Sequence, residues 1–229
     1  MIKSEIPYQV WWNSIVPFNV YNPPMLIKQS ISFKNKKFIS INEISRLKNK
    51  NHKDYILLFF AEDKHFNGYY TKLWQNNRIE ILQSFYAVCG LDFSTFPYGD
   101  EEENKHAIKK NRMFCTFCQH TDILCIYNVI WTGKESYDIA FNNVAQKSVV
   151  IVSTYRIMGN DDKIFREGYI EMKKRINPCL ILCYGRLQSI MSEDYRLGLV
   201  MQIPTRFDGV KQIVKNNSLV IQKELPYIA

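Results

Sequence analysis

Nowhere does this 229-residue chain hold an apolar run long enough to span a bilayer. Its opening residues, Met1 to Pro7, are polar, and no cleavable apolar segment follows them. Both absences point to the cytosol and away from a membrane. Also missing are the short patterns that usually announce chemistry. There is no Walker-type phosphate loop, dinucleotide-binding glycine fingerprint, Gly-x-Ser-x-Gly elbow or His-Glu-x-x-His helix, so ATPase, dehydrogenase, serine hydrolase and zincin readings lose their usual support. Internal repeats and low-complexity segments are absent too, which sets aside solenoids and long disordered stretches.

Cysteine is present without a framework. Cys115 and Cys118 form one CxxC, but no second pair completes a zinc site, although His120 and Cys125 lie close in sequence. The pair falls at the end of an expected helix, where the dipole does not favour a thiolate. Cys125, Cys179 and Cys183 sit in apolar runs, where reduced cysteine behaves as a small hydrophobe. We expect six reduced cysteines, including Cys89, that carry no metal.

What remains is an ordinary globular composition, 46% hydrophobic and 23% charged, on a chain large enough to bury a core without staples. The formal net charge is +8, which favours anionic partners, nucleic acid first among them. The Lys-, Asn- and Ile-rich mix is also what an AT-rich genome produces.

From Tyr55 onward apolar runs alternate with helix-length segments. Tyr55–Ala61, Ala87–Leu91, Ile123–Ile130, Val149–Ser153 and Leu180–Tyr184 read as buried parallel strands. Between them, helices are expected over Tyr69–Tyr86, from Asp100 through Cys118, and from Asp161 through Ile176. A short link covers Tyr137–Gln146. Strands spaced in this way give right-handed crossovers and an α/β fold, a mainly parallel sheet that is open or a partial (β/α) barrel, in a single domain. Residues 1–54, with Trp11-Trp12, Pro17-Phe18, Pro23-Pro24 and a strand near Lys37–Ile41, form an extension that completes or plugs the sheet. Residues 55–190 are the core units, and 191–229 a tail with a strand or turn over Leu197–Ile203.

In such folds function gathers beyond the carboxyl ends of the strands. Here those ends deliver Glu62-Asp63-Lys64-His65, Asp92-Phe93-Ser94, Asn128 with Trp131, Ser153-Thr154-Tyr155 and Tyr184-Gly185-Arg186. Singly, Asp63 and Ser94 read as helix caps. Together, the polar groups exceed what capping requires. Asp92, Glu62, Asp63 and His65 are the candidate catalytic residues, and Glu62, Asp63 and Asp92 the candidate ligands of a divalent metal. Strand alternation keeps Glu62 and Asp63 from pointing the same way. Arg112, Asn128, Trp131, Thr154 and Tyr184 are the candidate substrate-binding residues.

The run Phe59-Phe60-Ala-Glu62-Asp63-Lys-His-Phe66, then Leu91-Asp92-Phe93-Ser94, Asn111-Arg112, Trp131, Phe141-Asn-Asn-Val144, Val152-Ser153-Thr154, Phe165-Arg-Glu-Gly168 with Met172, and Pro178 leading to Tyr184-Gly185, resembles the family known as domain of unknown function 4417. The resemblance covers roughly residues 10 to 190. It departs where Asn142 or Asn143 stands in place of a usual Gly, and near Arg156, where a Gly often follows the Ser-Thr pair. It implies a single domain from a phage or other mobile element, and brings no activity with it.

Three functional readings stay open. The first is a phage or mobile-element protein that acts on nucleic acid, by metal-assisted phosphodiester hydrolysis at the strand-end rim, with Arg112 steadying phosphate. The second is a non-catalytic protein that occupies a host protein or DNA site through Trp11, Trp12 and Trp131. The third is a small-molecule hydrolase working in the same rim.

Overall fold

The computed structural model describes residues 23–48, 50–155, 157, 161–203 and 205. Trp11, Trp12, Pro17, Phe18 and the tail beyond residue 205 lie outside them. Seven strands, β1 (Lys37–Ser40), β2 (Tyr55–Leu58), β3 (Ala87–Cys89), β4 (Cys125–Asn128), β5 (Val149–Ser153), β6 (Leu180–Tyr184) and β7 (Val200–Ile203), form one sheet. They pair in chain order and all in parallel. Right-handed crossovers between successive neighbours send the helices to one face. With no reversal of strand order there is no switch-point crevice; the sheet curls instead into an open half-barrel.

The β5 and β6 runs pair over their whole lengths, whereas the longer runs form shorter ladders. The run from Tyr55 is expected to reach Ala61, yet pairing stops at Leu58, and Phe59 and Phe60 continue unpaired. Phe59 turns toward the helices, edge-on to Phe66, Tyr69 and Phe114. Phe60 takes the concave side. The tail run yields β7, whose pairing with β6 extends the sheet.

Seven helices cover the convex face: α1 (Asp63–Phe66), α2 (Gly68–Thr71), α3 (Arg78–Ser84), α4 (Glu101–His120), α5 (Tyr137–Phe141), α6 (Asp161–Ile176) and α7 (Ser192–Arg196). The continuous helix expected over Tyr69–Tyr86 is broken. Asn76 and Asn77 adopt left-handed backbone angles of 56° and 53°, which asparagine tolerates better than most residues. Arg78 closes the break by donating to the carbonyls of Lys72 and Gln75. By contrast α4 is uninterrupted: Asp100 accepts from the Glu103 N–H at 2.8 Å, and three glutamates fill the first turn. Among the described residues no helix is long and apolar enough to cross a membrane.

The amino-terminal segment straps the amino ends of the strands. Leu26 is buried and forms a parallel bridge with Val144, Gln29 accepts from the Cys125 N–H, and the Ser32 N–H donates to the Tyr86 hydroxyl. Four of the six cysteines meet between α4 and the sheet. Cys115 and Cys118 lie against Cys125, with Cys89 close by; all are buried, unpaired thiols whose pKa values burial raises.

At Gly90 the sheet and α4 approach closely. A Cβ there would stand 2.2 Å from Asn111 Oδ1, 2.8 Å from Cys115 Sγ and 3.0 Å from the Asn128 backbone nitrogen. Gly90→Ala is therefore expected to lower stability by about 1–3 kcal/mol, as overpacking does. Equilibrium urea denaturation checks this; an unchanged midpoint would mean that α4 shifts freely.

Candidate active site

The concave face opens at the carboxyl ends of the strands into a cavity of about 480 Å³. Its shape follows from one aromatic contact. Phe60, beyond β2, and Tyr184, ending β6, stack with ring centroids 4.2 Å apart and planes inclined by 13°. Four strand spacings separate β2 from β6, about 19 Å in a flat sheet. Curling closes that gap. Phe93, Trp131 and Phe165 line further parts of the wall, and Glu62, Asp92, Asn128 and Ser153 supply polar groups.

Asn128 is the best-fixed polar residue of the site. It ends β4 and is 1% exposed. Its backbone carbonyl accepts from Asn111 Nδ2 of α4 at 2.6 Å, and its own Nδ2 donates to Asp92 Oδ1 at 2.9 Å. Its Oδ1, buried, has no hydrogen-bond partner among the described residues. A buried acceptor left unmatched costs about 1–3 kcal/mol, so this atom is a site in want of a donor.

Asp92 is pushed up to about 7: burial of its carboxyl dominates, the Asn128 hydrogen bond opposes it, and the Asp63 charge adds to it. Asp63 does not border the cavity. It opens α1 and accepts from the Ser94 N–H at 3.2 Å and the Ser94 hydroxyl at 2.9 Å, tying the loop after β3 to the loop after β2. Glu62 reaches the cavity edge but is largely exposed and paired with Lys64 at 2.5 Å, a contact of small energy. His65 is exposed and stands outside the lining.

The three expected metal ligands are placed differently: Glu62 and Asp92 border the cavity, and Asp63 is held by Ser94 behind it. Among the described residues no group of three or more His, Cys, Asp or Glu could hold a metal ion.

The substrate-binding candidates divide as well. Asn128, Trp131 and Tyr184 border the cavity. Trp131 is held from behind: its indole donates to the Ile164 carbonyl at 3.1 Å, its ring packs on Phe141 and Phe165, and Gly168 makes room for it, since a Cβ there would lie 2.0 Å from Nε1. Thr154 is buried and acts as a brace. Its hydroxyl donates to the Arg186 carbonyl at 2.7 Å and would lie 2.6 Å from a Cβ on Gly185, whose φ of +120° also calls for glycine. Arg112 is far from a phosphate-binding role. Fully buried in α4, it donates to the carbonyls of Pro24, Ala140 and Asn143 and lies over the Tyr127 ring.

Sequence reading assigned Asn111 no role in the site and did not reveal the Phe60–Tyr184 stack. Gly90, inside an apolar strand, was the available sign that another element approaches closely there.

Burial of Asp92 also sets a pH dependence. The carboxyl has a raised folded-state pKa, so its contribution to stability is present in full below about 4 and is lost as pH rises through about 7. Asp92→Asn is expected to remove that slope and to be the more stable protein above neutrality, by at most on the order of 4 kcal/mol. Thermal melts of both proteins on either side of neutrality measure it; parallel curves would place Asp92 in water.

The chain is 25% identical over 165 residues to the Gene 1 protein of Mycobacterium phage L5, covering 69% of this chain and 70% of that protein. To the Gene 1 protein of Mycobacterium phage D29 it is 24% identical over 162 residues, 70% of this chain and 58% of the phage protein. No solved structure matches it. The model of the domain of unknown function DUF4417 matches residues 18–204, well over half of the sequence, and this chain belongs to that family.

Proposed function

We propose that this is a phage or mobile-element protein that acts on nucleic acid, with the strand-end cavity as its reaction site and Asp92 as the group that moves a proton. One observation carries the reading. A carboxyl pushed up to about 7 borders an aromatic-walled cavity at the carboxyl ends of parallel strands. General acid–base catalysis is most effective when the group's pKa lies near the working pH, and burial is the usual means of tuning a carboxyl upward. The net charge of +8 favours a polyanionic substrate.

Metal-assisted phosphodiester hydrolysis draws less support from this arrangement. Asp63 is spent on Ser94, and its charge raises the Asp92 pKa in place of a shared ligand. A second reading, docking onto a host protein, has its own observation. Phe96 and Tyr98, 64% and 79% exposed, stand on the loop after β3, and Phe96 borders the cavity. Trp131 is turned inward and offers no protruding anchor.

Asp92→Asn separates the two. The variant is expected to stay folded and to lose the phenotype that the gene confers on its phage or host, with any measured rate down by about 10²–10⁴-fold. Tyr98→Ala, on the same loop but outside the cavity lining, should leave that phenotype intact. The opposite result, full function in Asp92→Asn and loss in the loop variant, would replace catalysis by docking.

A further inference from the structure

We infer that the cavity receives a nucleobase, held by an edge that presents a hydrogen-bond donor beside an acceptor: the donor to Asn128 Oδ1, the acceptor to the Asp92 carboxyl. The inference rests on the reading of this cavity as the functional site and names what enters it.

Asn128 and Asp92 already form a joined pair, so their free valences are set by the bond between them. Asn128 Nδ2 is occupied by Asp92 Oδ1, which leaves Asn128 Oδ1 as an acceptor with nothing to accept. In the neutral acid the Asp92 oxygen that does not receive this bond carries the proton and donates. An acceptor next to a donor is the complement of an amidine or imide edge, in which a ring nitrogen and an exocyclic amine or carbonyl stand side by side. Adenine, cytosine, uracil and thymine all carry one.

The walls suit the same ligand. The stacked Phe60–Tyr184 pair and the Trp131 ring border the cavity with flat apolar surfaces of the kind on which a base stacks. The cavity of about 480 Å³ lies in the range of small-ligand sites. Guanidinium or ammonium ligands would need a standing negative charge, and burial opposes one at Asp92.

Protonation links binding to pH. Around the same cavity stand Glu62, with Asp63 behind it, from the segment after β2, Cys89 on the strand that leads to Asp92, Lys110 of α4 over the Phe93 ring, Tyr155, and Tyr184 at the end of β6. Of these, Asp63 holds the Asp92 carboxyl up by its charge. A base that needs the neutral acid binds best below about 7 and loses about tenfold per pH unit above it.

The test is calorimetric titration of the full chain with adenosine and uridine, and with N6,N6-dimethyladenosine and 3-methyluridine, which lack the edge donor. At least one unmodified nucleoside is expected to bind, about tenfold or more tighter than its methylated form, with affinity falling above neutrality. Asp92→Asn keeps a donor in the same place, so it should bind with a flat pH profile. Asn128→Ala should bind the methylated and unmethylated forms alike. Single-stranded oligonucleotides form a second arm: tighter binding of the strand than of the nucleoside identifies a base within a strand, equal binding a free nucleoside.

Equal affinity for methylated and unmethylated forms in the wild type would overturn the inference. So would a flat wild-type pH profile, or no binding of either nucleosides or strands. If Asn128→Ala does not fold, the Asp92→Asn profile decides. A loss of phenotype in Asp92→Asn alongside no base binding would leave the cavity catalytic and remove the nucleobase from it.

Discussion

Seven parallel strands taken in strict chain order leave the sheet one way to bury its second face. Helices all fall on the convex side, so the concave side must be covered by the sheet's own curvature. The Phe60–Tyr184 stack is where that closure is made, between rings carried by strands four places apart. Every other feature of the cavity follows from it. The wall exists because two strand ends meet, and Asp92 is shielded because the end of β3 lies between them. Loosening this contact would flatten the mouth and return the carboxyl to water.

The site is built at some cost to stability, as functional sites often are. A half-buried carboxyl next to an asparagine whose carbonyl oxygen goes unmatched is not what packing alone would select. The surroundings hold it in place: Asn111 fixes the strand end, Gly90 lets α4 come close, and Asp63 clamps the following loop through Ser94. None of these touches the cavity, yet each limits how far Asp92 and Asn128 can relax away from each other.

Much of the fold was legible in the sequence because its strands are apolar on both faces. Val149–Ser153 and Leu180–Tyr184 stand out as uninterrupted runs, and Asp161–Ile176 has helical spacing. The break within Tyr69–Tyr86 was hidden because Asn76 and Asn77 are merely indifferent helix formers; both are exposed, and the break is held by the bonds of Arg78 to the Lys72 and Gln75 carbonyls. For the site, the rim rule pointed to Asp92, Asn128, Trp131 and Tyr184, which border the cavity. It could not separate them from Thr154 and Asp63, equally polar and equally terminal, whose hydrogen bonds turn them to bracing. Arg112 was hard to place because a guanidinium is seldom fully enclosed by carbonyl oxygens and an aromatic ring.

That enclosed guanidinium ties together parts of the chain made at different times. It cannot discard its proton, so its charge is present from the moment the residue is synthesised. One of its dry-state partners is the Pro24 carbonyl, 88 residues earlier. The early segment therefore waits in solvent until α4 arrives, and α4 cannot give up its last hydration until the strap is laid across it. Docking of the strap and dehydration of the cation are one step.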